Sequence, residues 1–370
     1  MSFATGEDVM KVVEGVIRRL WSSLKEDAVP SGPFRRMSYH EAMSQYGSDK
    51  PDTRYGMEIS RVEHMLPADL ISKITSLEDP IVEAFKLENN DNEPLPMSEF
   101  ITRFLDSPAG TPFNNNPEGA PGVFVFDAKK PLFGLQPFGF EASEAIGELL
   151  DIDQGDLIII QARQRTTSFS GGSTPIGDLR RALYSTAISE GFKPTPTGSD
   201  FLWIVDFPLF SPSTDSEPGQ GGAAGISSTH HPFTAPKSST DVDLLLTDPT
   251  KCKADHYDLV VNGVELGGGS RRIHDALVQE FIFRDMLQMP SHRLTDFSHL
   301  LDALRAGCPP HAGFALGFDR LVAVMLGRES VRDVIAFPKT GKGGEDAMVG
   351  APTPIAEEAL KMYHLRLREE

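Results

Sequence analysis

The chain has 370 residues, 39% of them hydrophobic, with 35 basic and 53 acidic side chains and a formal charge of −18, enough for one large domain with a real core plus a second. The acidic balance argues against a dedicated nucleic-acid binder, and a mean hydropathy of −0.23 without a long apolar run excludes a membrane span. Two isolated cysteines, Cys252 and Cys308, form neither a zinc pattern nor a disulfide framework, so a reducing compartment is the default.

In chain order, the first predicted element is a helix. Val9, Val12, Val13, Val16, Ile17, Leu20, Trp21 and Leu24 recur at helical spacing, and Thr5 with Asp8 resembles a capping box. Glu7, Asp8 and Glu14 in this stretch argue against a transit peptide. A short helix is expected at His40 to Tyr46, followed by a turn-rich stretch to about Ser60. Residues 61–199 then shift in composition. Loops rich in Asn, Pro and Gly alternate with the strand-like "GVFVFDA" and "GDLIIIQAR", and "IGDLRRALYSTAISEGF" reads as a helix closed by a glycine, together a small α+β domain. "RQRTTSFSGGS" and "DLRRAL" are either local basic patches or a solvated face.

Residues 200–370 open on "FLWIVDFPLF", a buried-strand pattern, and continue through the flexible-loop composition of "SPSTDSEPGQGGAAGISS". "THHPFTAP" follows, then "YDLVVNGVELGGGSRRIH", a helix from about Leu294 to Ala306, and "PPHAGFALGFDRLVAVML", a strand running into a helix. "TGKGGED" lacks the ending of a phosphate loop and reads as a surface loop.

The chemistry concentrates in these last stretches. Asn262-Gly263 permits positive φ, so the strand turns or bulges there. Asp258 and Glu265 are an odd number apart and would face opposite ways in a plain strand. A bulge or a two-residue hairpin returns both carboxylates to one face, where they suit a hard cation such as Mg²⁺ with phosphates. Gly267, Gly268 and Gly269 leave backbone bare for a ligand, and Arg272 can fork onto a carboxylate. The rival reading is a glycine-rich bend with surface charges. His230 and His231 can hydrogen-bond a substrate or do acid–base work, or are simply a loop pair. No cysteine or third histidine is near enough in sequence to suggest zinc. Gly313 and Gly317 allow strand and helix to approach closely. Arg320, in the first helical turn, either adds charge to a phosphate site or pairs structurally with Asp319.

Together "YGSDKPDTRYG", "FLWIVDFPLF", "HHPFTAP", "YDLVVNGVELGGGSRRIHD", "LLDALRAGCPPHAGFALGFDRL" and "RDVIAFPKT" resemble, in order, the signatures of bacterial-type aspartyl-tRNA synthetase, a class II synthetase. The resemblance implies an α+β fold: an antiparallel sheet flanked by helices, here incomplete, in segments 1–60 and 200–370, with 61–199 as the inserted small α+β domain. It implies activation of L-aspartate by ATP and transfer to tRNA(Asp). Asp258 and Glu265 would hold Mg²⁺, with Glu265 also on ATP. Gly267, Gly268, Gly269, Arg272, His230 and His231 would form the aspartate pocket. Gly317, Phe318, Asp319 and Arg320 would match the third class-defining motif and bind ATP. Catalysis would rest on Arg272, Arg320 and Glu265.

The resemblance also implies a homodimer in the full-length protein. It points to the mitochondrial matrix, with a bacterial cytoplasm as the alternative. The family's anticodon-binding domain and its first and second motifs have no counterpart in the sequence, so a fragment without useful charging activity of its own is expected. An asparaginyl-type relative and a non-catalytic paralogue acting as a binding module remain as alternatives.

Overall fold

Thr5 starts α1, Gly6–Leu24, by the expected reciprocal cap: its hydroxyl accepts from the Asp8 amide while Asp8 answers to the Thr5 backbone. The structure, a computed structural model, describes residues 1–25, 29–166, 168–213, 223–339 and 357–366. "TGKGGED" and part of the Gly/Ser-rich loop after Phe210 lie outside the described residues. The chain divides into two compact units, Met1–Ala315 and Leu316–Glu370.

The first unit continues with β1 (Arg35–Ser38), α2 (Tyr39–Gln45), β2 (Ser60–Arg61), α3 (Ala68–Ile74), β3 (Pro80–Leu87), α4 (Pro94–Asp106), α5 (Thr111–Asn114), β4 (Gly122–Val125), α6 (Gly139–Leu149), β5 (Leu157–Gln164) and α7 (Pro175–Ser189). It proceeds through β6 (Phe201–Val205), β7 (Phe210–Pro212), β8 (Ile226–Ser228), α8 (Ser239–Thr247), β9 (His256–Val261), β10 (Val264–Arg271), α9 (Ala276–Phe281), α10 (Ser291–Asp296), α11 (Ser298–Arg305) and β11 (Ala312–Leu316). The second unit contains α12 (Phe318–Met325) and α13 (Glu357–Met362).

The fold is mixed α+β. The main sheet has the order β1-β6-β9-β10-β11; β6, β9 and β10 are antiparallel neighbours, and β1 runs parallel to β6. Its strand β6, FLWIV, is apolar on both sides because both its faces are covered. Phe201 and Trp203 face α1, where Trp21 meets Phe201 edge-on at 5.1 Å. Leu202, Ile204 and Val260 face the opposite core, with Met37, Tyr39, Phe207 and Phe283. A second sheet, β2-β3-β5-β4, is antiparallel throughout. "LIII" in β5 likewise serves two cores. Leu157 and Ile159 pack with Phe100, Phe104, Leu179 and Leu183, while Ile158 and Ile160 pack with Leu70, Ala142 and Ile146.

Several expectations change on folding. The apolar stripe of α1 is not wholly internal: Val12, Val16 and Leu24 are exposed, whereas Glu14 is buried. Glu14 accepts from the Trp203 indole at 3.0 Å, from Arg36 at 2.7 Å and from Arg18 at 2.9 Å. Burial alone would raise its pKa, but these bonds from Arg36, Trp203 and Arg18 outweigh burial and lower it. The single helix expected at Leu294 to Ala306 is two, α10 and α11, broken at Phe297. The Phe297 ring stacks on Phe283 at 4.9 Å.

Among the described residues, each arginine of the two basic stretches is buried or paired with an acid, Arg181 with Asp178. Arg180 is buried, donates to the backbone carbonyl of Met57 at 2.8 Å and sits over the rings of Tyr46 and Tyr55. Arg163 forks onto Glu83, and Arg165 onto Asp79.

Glu14→Ala would leave the Trp203 indole and Arg36 without their carboxylate. We expect a loss of about 3 kcal/mol in unfolding free energy, measured by denaturant titration. A loss below about 0.5 kcal/mol would show that the network does not anchor α1.

Candidate active site

The hairpin β9–β10 turns through Asn262 and Gly263, both at positive φ (53° and 79°), as a two-residue primed turn requires. Glu265 pairs with Val260, and the register then slips between Glu265 and Gly267, so that Gly268 faces Asp258 and Ser270 faces His256. Leu266 is the extra residue of this bulge. Pairing and alternation therefore set His256, Asp258, Glu265, Gly268 and Ser270 on one face.

Three carboxylates gather there around an ammonium. Lys50, between β1 and the second sheet in sequence, donates to Asp49 at 2.7 Å and stands 3.6 Å from Glu265. Burial raises the pKa of Asp49, Lys50 lowers it in part, and the charges of Asp258 and Glu265 push it up further. Burial would lower that of Lys50, but Asp49, Glu265 and Asp258 outweigh this and raise it. The acidic groups here offer only oxygen donors, so Asp258 and Glu265 could hold a hard cation such as Mg²⁺.

The imidazoles lie beside this group. His256 and Asp258 are 2.8 Å apart, Nε2 to Oδ1, and His230 Nε2 is 3.9 Å from the other oxygen, Oδ2. The rings of His230 and His256 stack at 3.7 Å, and the ring of Phe207 meets each near a right angle. Burial, then the neighbouring His256, pushes His230 down to about 3; burial pushes His256 down to about 4. His231 is also pushed down to about 4, by burial and then by Arg272. All three rings are therefore neutral near pH 7.

The adjacent arginines have different employment. Arg271 donates to Asp255 at 2.7 Å and to the Pro236 carbonyl at 2.5 Å. Arg272 is held by its backbone, which bonds to the His311 carbonyl at 3.0 Å and bridges Thr234. Its guanidinium lies against His231, 2.6 Å from Nε2 and 3.0 Å from Nδ1. Among the described residues no carboxylate pairs with it. Burial lowers its pKa, with Tyr257 acting weakly the other way. Arg272 opens onto a cleft of about 640 Å³ lined largely by apolar residues, among them Phe233, Ile273, Phe297 and Leu300, with Asp296 also on its wall but not paired with the guanidinium. His230 and Asp49 line another, of about 370 Å³.

The glycines are occupied differently from expectation. A Cβ on Gly268 would stand 2.4 Å from the Asp258 carboxylate, and one on Gly269 would stand 2.2 Å from the Gly313 carbonyl. The space those two residues leave is filled by the protein itself. Gly267 pairs with Leu259. A Cβ on Gly313 would meet nothing, so Gly269, not Gly313, is the residue whose bareness admits the neighbouring strand. In the second unit, Gly317 is the N-cap of α12, and Phe318, Asp319 and Arg320 form its first turn.

His256 is the third histidine that sequence distance alone discounted. Its place two residues before Asp258 on a strand is the signal that finds it. Asp49 and Lys50, within "YGSDKPDTRYG", join the cluster through long-range folding.

The chain matches the class II tRNA synthetases (D, K and N) over residues 1–341. It belongs to that family. It is 35% identical over 370 residues to the mitochondrial aspartate–tRNA ligase of Schizosaccharomyces pombe, covering 98% of this chain and 56% of that protein. It is 34% identical over 385 residues to the mitochondrial aspartate–tRNA ligase of Homo sapiens, covering 99% and 54%. It is 35% identical over 375 residues to the aspartate–tRNA(Asp/Asn) ligase of Opitutus terrae, covering 99% and 58%. The chain thus spans little more than half the length of these relatives. A solved aspartyl tRNA synthetase from Entamoeba histolytica is 16% identical, with a TM-score of 0.31 over 91% of this chain and 58% of that one.

Unfolded histidines titrate near 6.5, so the unfolded chain takes up protons between about pH 6.5 and about pH 4 that the folded chain refuses. Stability therefore rises with pH across that window and is lost as pH falls. His256→Gln keeps an N–H toward Asp258 without titrating. It should reduce the acid-induced loss of unfolding free energy at about pH 5, relative to about pH 7, by about 2 kcal/mol. Equal losses in the two proteins would show that His256 is not held neutral.

Proposed function

We propose that the chain is the catalytic part of an aspartate–tRNA ligase, which activates L-aspartate with ATP and transfers it to tRNA(Asp). The observation that carries this reading is Arg272, a half-buried guanidinium that faces a cleft with no carboxylate partner among the described residues. Desolvating a cation without pairing it is costly, and a bound carboxylate repays that cost. The fork is all donors. It donates to both oxygens of an aspartate side chain but sets N–H against N–H for asparagine. Neutral His231 positions the fork without competing charge.

In this reading the α-carboxylate of aspartate attacks the α-phosphorus of ATP and pyrophosphate leaves. A ribose hydroxyl of tRNA then attacks the acyl carbon and AMP leaves. The chain's part is to orient the two reactants and offset their charge, with little proton transfer. Asp258 and Glu265 would hold Mg²⁺, which when bound neutralises phosphate oxygens. Lys50 would keep these acids compatible in its absence. His230 helps close the amino-acid site. Gly267 lies next to it in β10, while Gly268 and Gly269 shape it indirectly by admitting Asp258 and the Gly313 carbonyl. Gly317, Phe318, Asp319 and Arg320 are assigned to ATP on the family resemblance and on the affinity of a helix start for phosphate.

We assign residues 1–60 and 200–370 to the core and 61–199 to an insertion, and the complete enzyme to a homodimer. The names of the mitochondrial relatives favour the mitochondrial matrix over a bacterial cytoplasm. Cofractionation with a matrix marker tests that placement.

In the enzyme, Arg272→Leu should reduce kcat/KM for aspartate in ATP–pyrophosphate exchange by at least about 100-fold, about 3 kcal/mol, with a much smaller change in KM for ATP. Unchanged aspartate dependence would remove Arg272 from this role and leave the asparaginyl-type and non-catalytic alternatives standing.

A further inference from the structure

One oxygen of Asp258 is gripped from two sides. His256, only 6% exposed, stands with Nε2 2.8 Å from Oδ1. The two residues are an even number apart on β9 and so share its face. Gly268, across the hairpin from Asp258, comes so close that a Cβ there would stand 2.4 Å from the same Oδ1. We propose that His256 and Gly268 are positioning residues for a divalent cation: they fix the Asp258 carboxylate at Oδ1 and leave Oδ2 as its coordinating oxygen. The inference rests on the reading of Asp258 and Glu265 as holders of Mg²⁺.

The chemistry of the pair sets the direction of the bond. An ionised carboxylate only accepts, so Nε2 of His256 carries the proton. Nδ1 then holds the lone pair, and it is buried without a hydrogen-bond partner. The other tautomer would set a lone pair against the carboxylate and bury an unmet N–H as well, which costs more. The ring is also kept from turning away. It stacks on His230 at 3.7 Å and meets Phe207 near a right angle. On the far side of Oδ1, only the missing side chain of Gly268 gives the carboxylate room to lie where His256 reaches it. Oδ2 stands 3.9 Å from His230 Nε2. Glu265 shares this face of the hairpin, with Lys50 3.6 Å from it. Outer-shell donors of this kind orient a coordinating group. A carboxylate already held in place also loses less freedom when the ion arrives.

The test reads cation affinity and does not depend on catalysis. Mn²⁺ is titrated into the purified protein, and the free ion is followed by its paramagnetic resonance signal. We expect a site that Asp258→Asn removes. His256→Phe keeps the stacked ring and removes the donor, and it should weaken that site by about 10- to 100-fold. His256→Gln returns an N–H at the place of Nε2 and should restore most of the affinity. Gly268→Ala, with His256 intact, should weaken the site by at least about 10-fold. Equal affinity in His256→Phe and the unaltered protein would overturn the role of His256 while leaving Asp258 as a ligand, and a loss that His256→Gln fails to restore would overturn it too. Unchanged affinity in Gly268→Ala would remove Gly268 from the role. Absence of a site in the unaltered protein, or a site that Asp258→Asn leaves in place, would overturn the reading of Asp258 itself and this inference with it. Should His256→Phe fail to fold, His256→Asn, whose amide is too short to reach Oδ1, takes its place in the same comparison.

Discussion

One inserted residue decides which side chains share a face of the main sheet. Glu265 and Arg272 are seven positions apart, as are Asp258 and Glu265, and on regular strands each pair would be split between the two faces of the sheet. The turn at Asn262-Gly263 returns Glu265 to the face of Asp258, and the bulge at Leu266 then brings Gly268 and Ser270 to that face as well. Without the extra residue, β10 beyond Glu265 would be transposed and would present Gly267, Gly269 and Arg271 instead. Arg271 is suited to the other place, where Asp255 and the Pro236 carbonyl receive it.

The site crowds like charges together and desolvates a cation beside them. Asp49, Asp258 and Glu265 crowd one ammonium, while Arg272 is desolvated beside a neutral ring. The stacked imidazoles stay uncharged because burial outweighs the attraction of nearby carboxylates. Were they protonated, they would answer Asp258 directly and leave less for a cation to do. Such an arrangement costs folding free energy, which the two apolar cores of the second sheet and the Glu14 network supply elsewhere. The contrast with Glu14 is instructive: that carboxylate is buried as deeply, but three donors answer it, and its role is structural.

Much of this was legible in the sequence. The capping box at Thr5, the continuous apolar run of β5 and the Asn-Gly turn each have a local cause, and each formed where local chemistry placed it. The same-face pairing of Asp258 and Glu265 followed from counting residues around that turn. What escaped was set by distant contacts. Glu14 occupies a core position because Trp203, nearly two hundred residues away in sequence, needs an acceptor. Arg180 looks like surface charge and is buried under Tyr46 and Tyr55. Phe297 breaks a helix that its neighbours would continue, because its ring belongs to the core around Phe283. The roles of Gly268 and Gly269 could not be read from bareness alone, since what fills the space comes from β9 and β11.

The central claim is that Arg272, which no carboxylate pairs among the described residues, awaits a substrate carboxylate. The most direct test is a crystal structure with a non-hydrolysable aspartyl-adenylate analogue bound. The account predicts both side-chain carboxylate oxygens within hydrogen-bonding distance of the Arg272 guanidinium, on the hairpin face that carries Asp258 and Glu265. A carboxylate bound elsewhere, with Arg272 still turned onto His231, would contradict it.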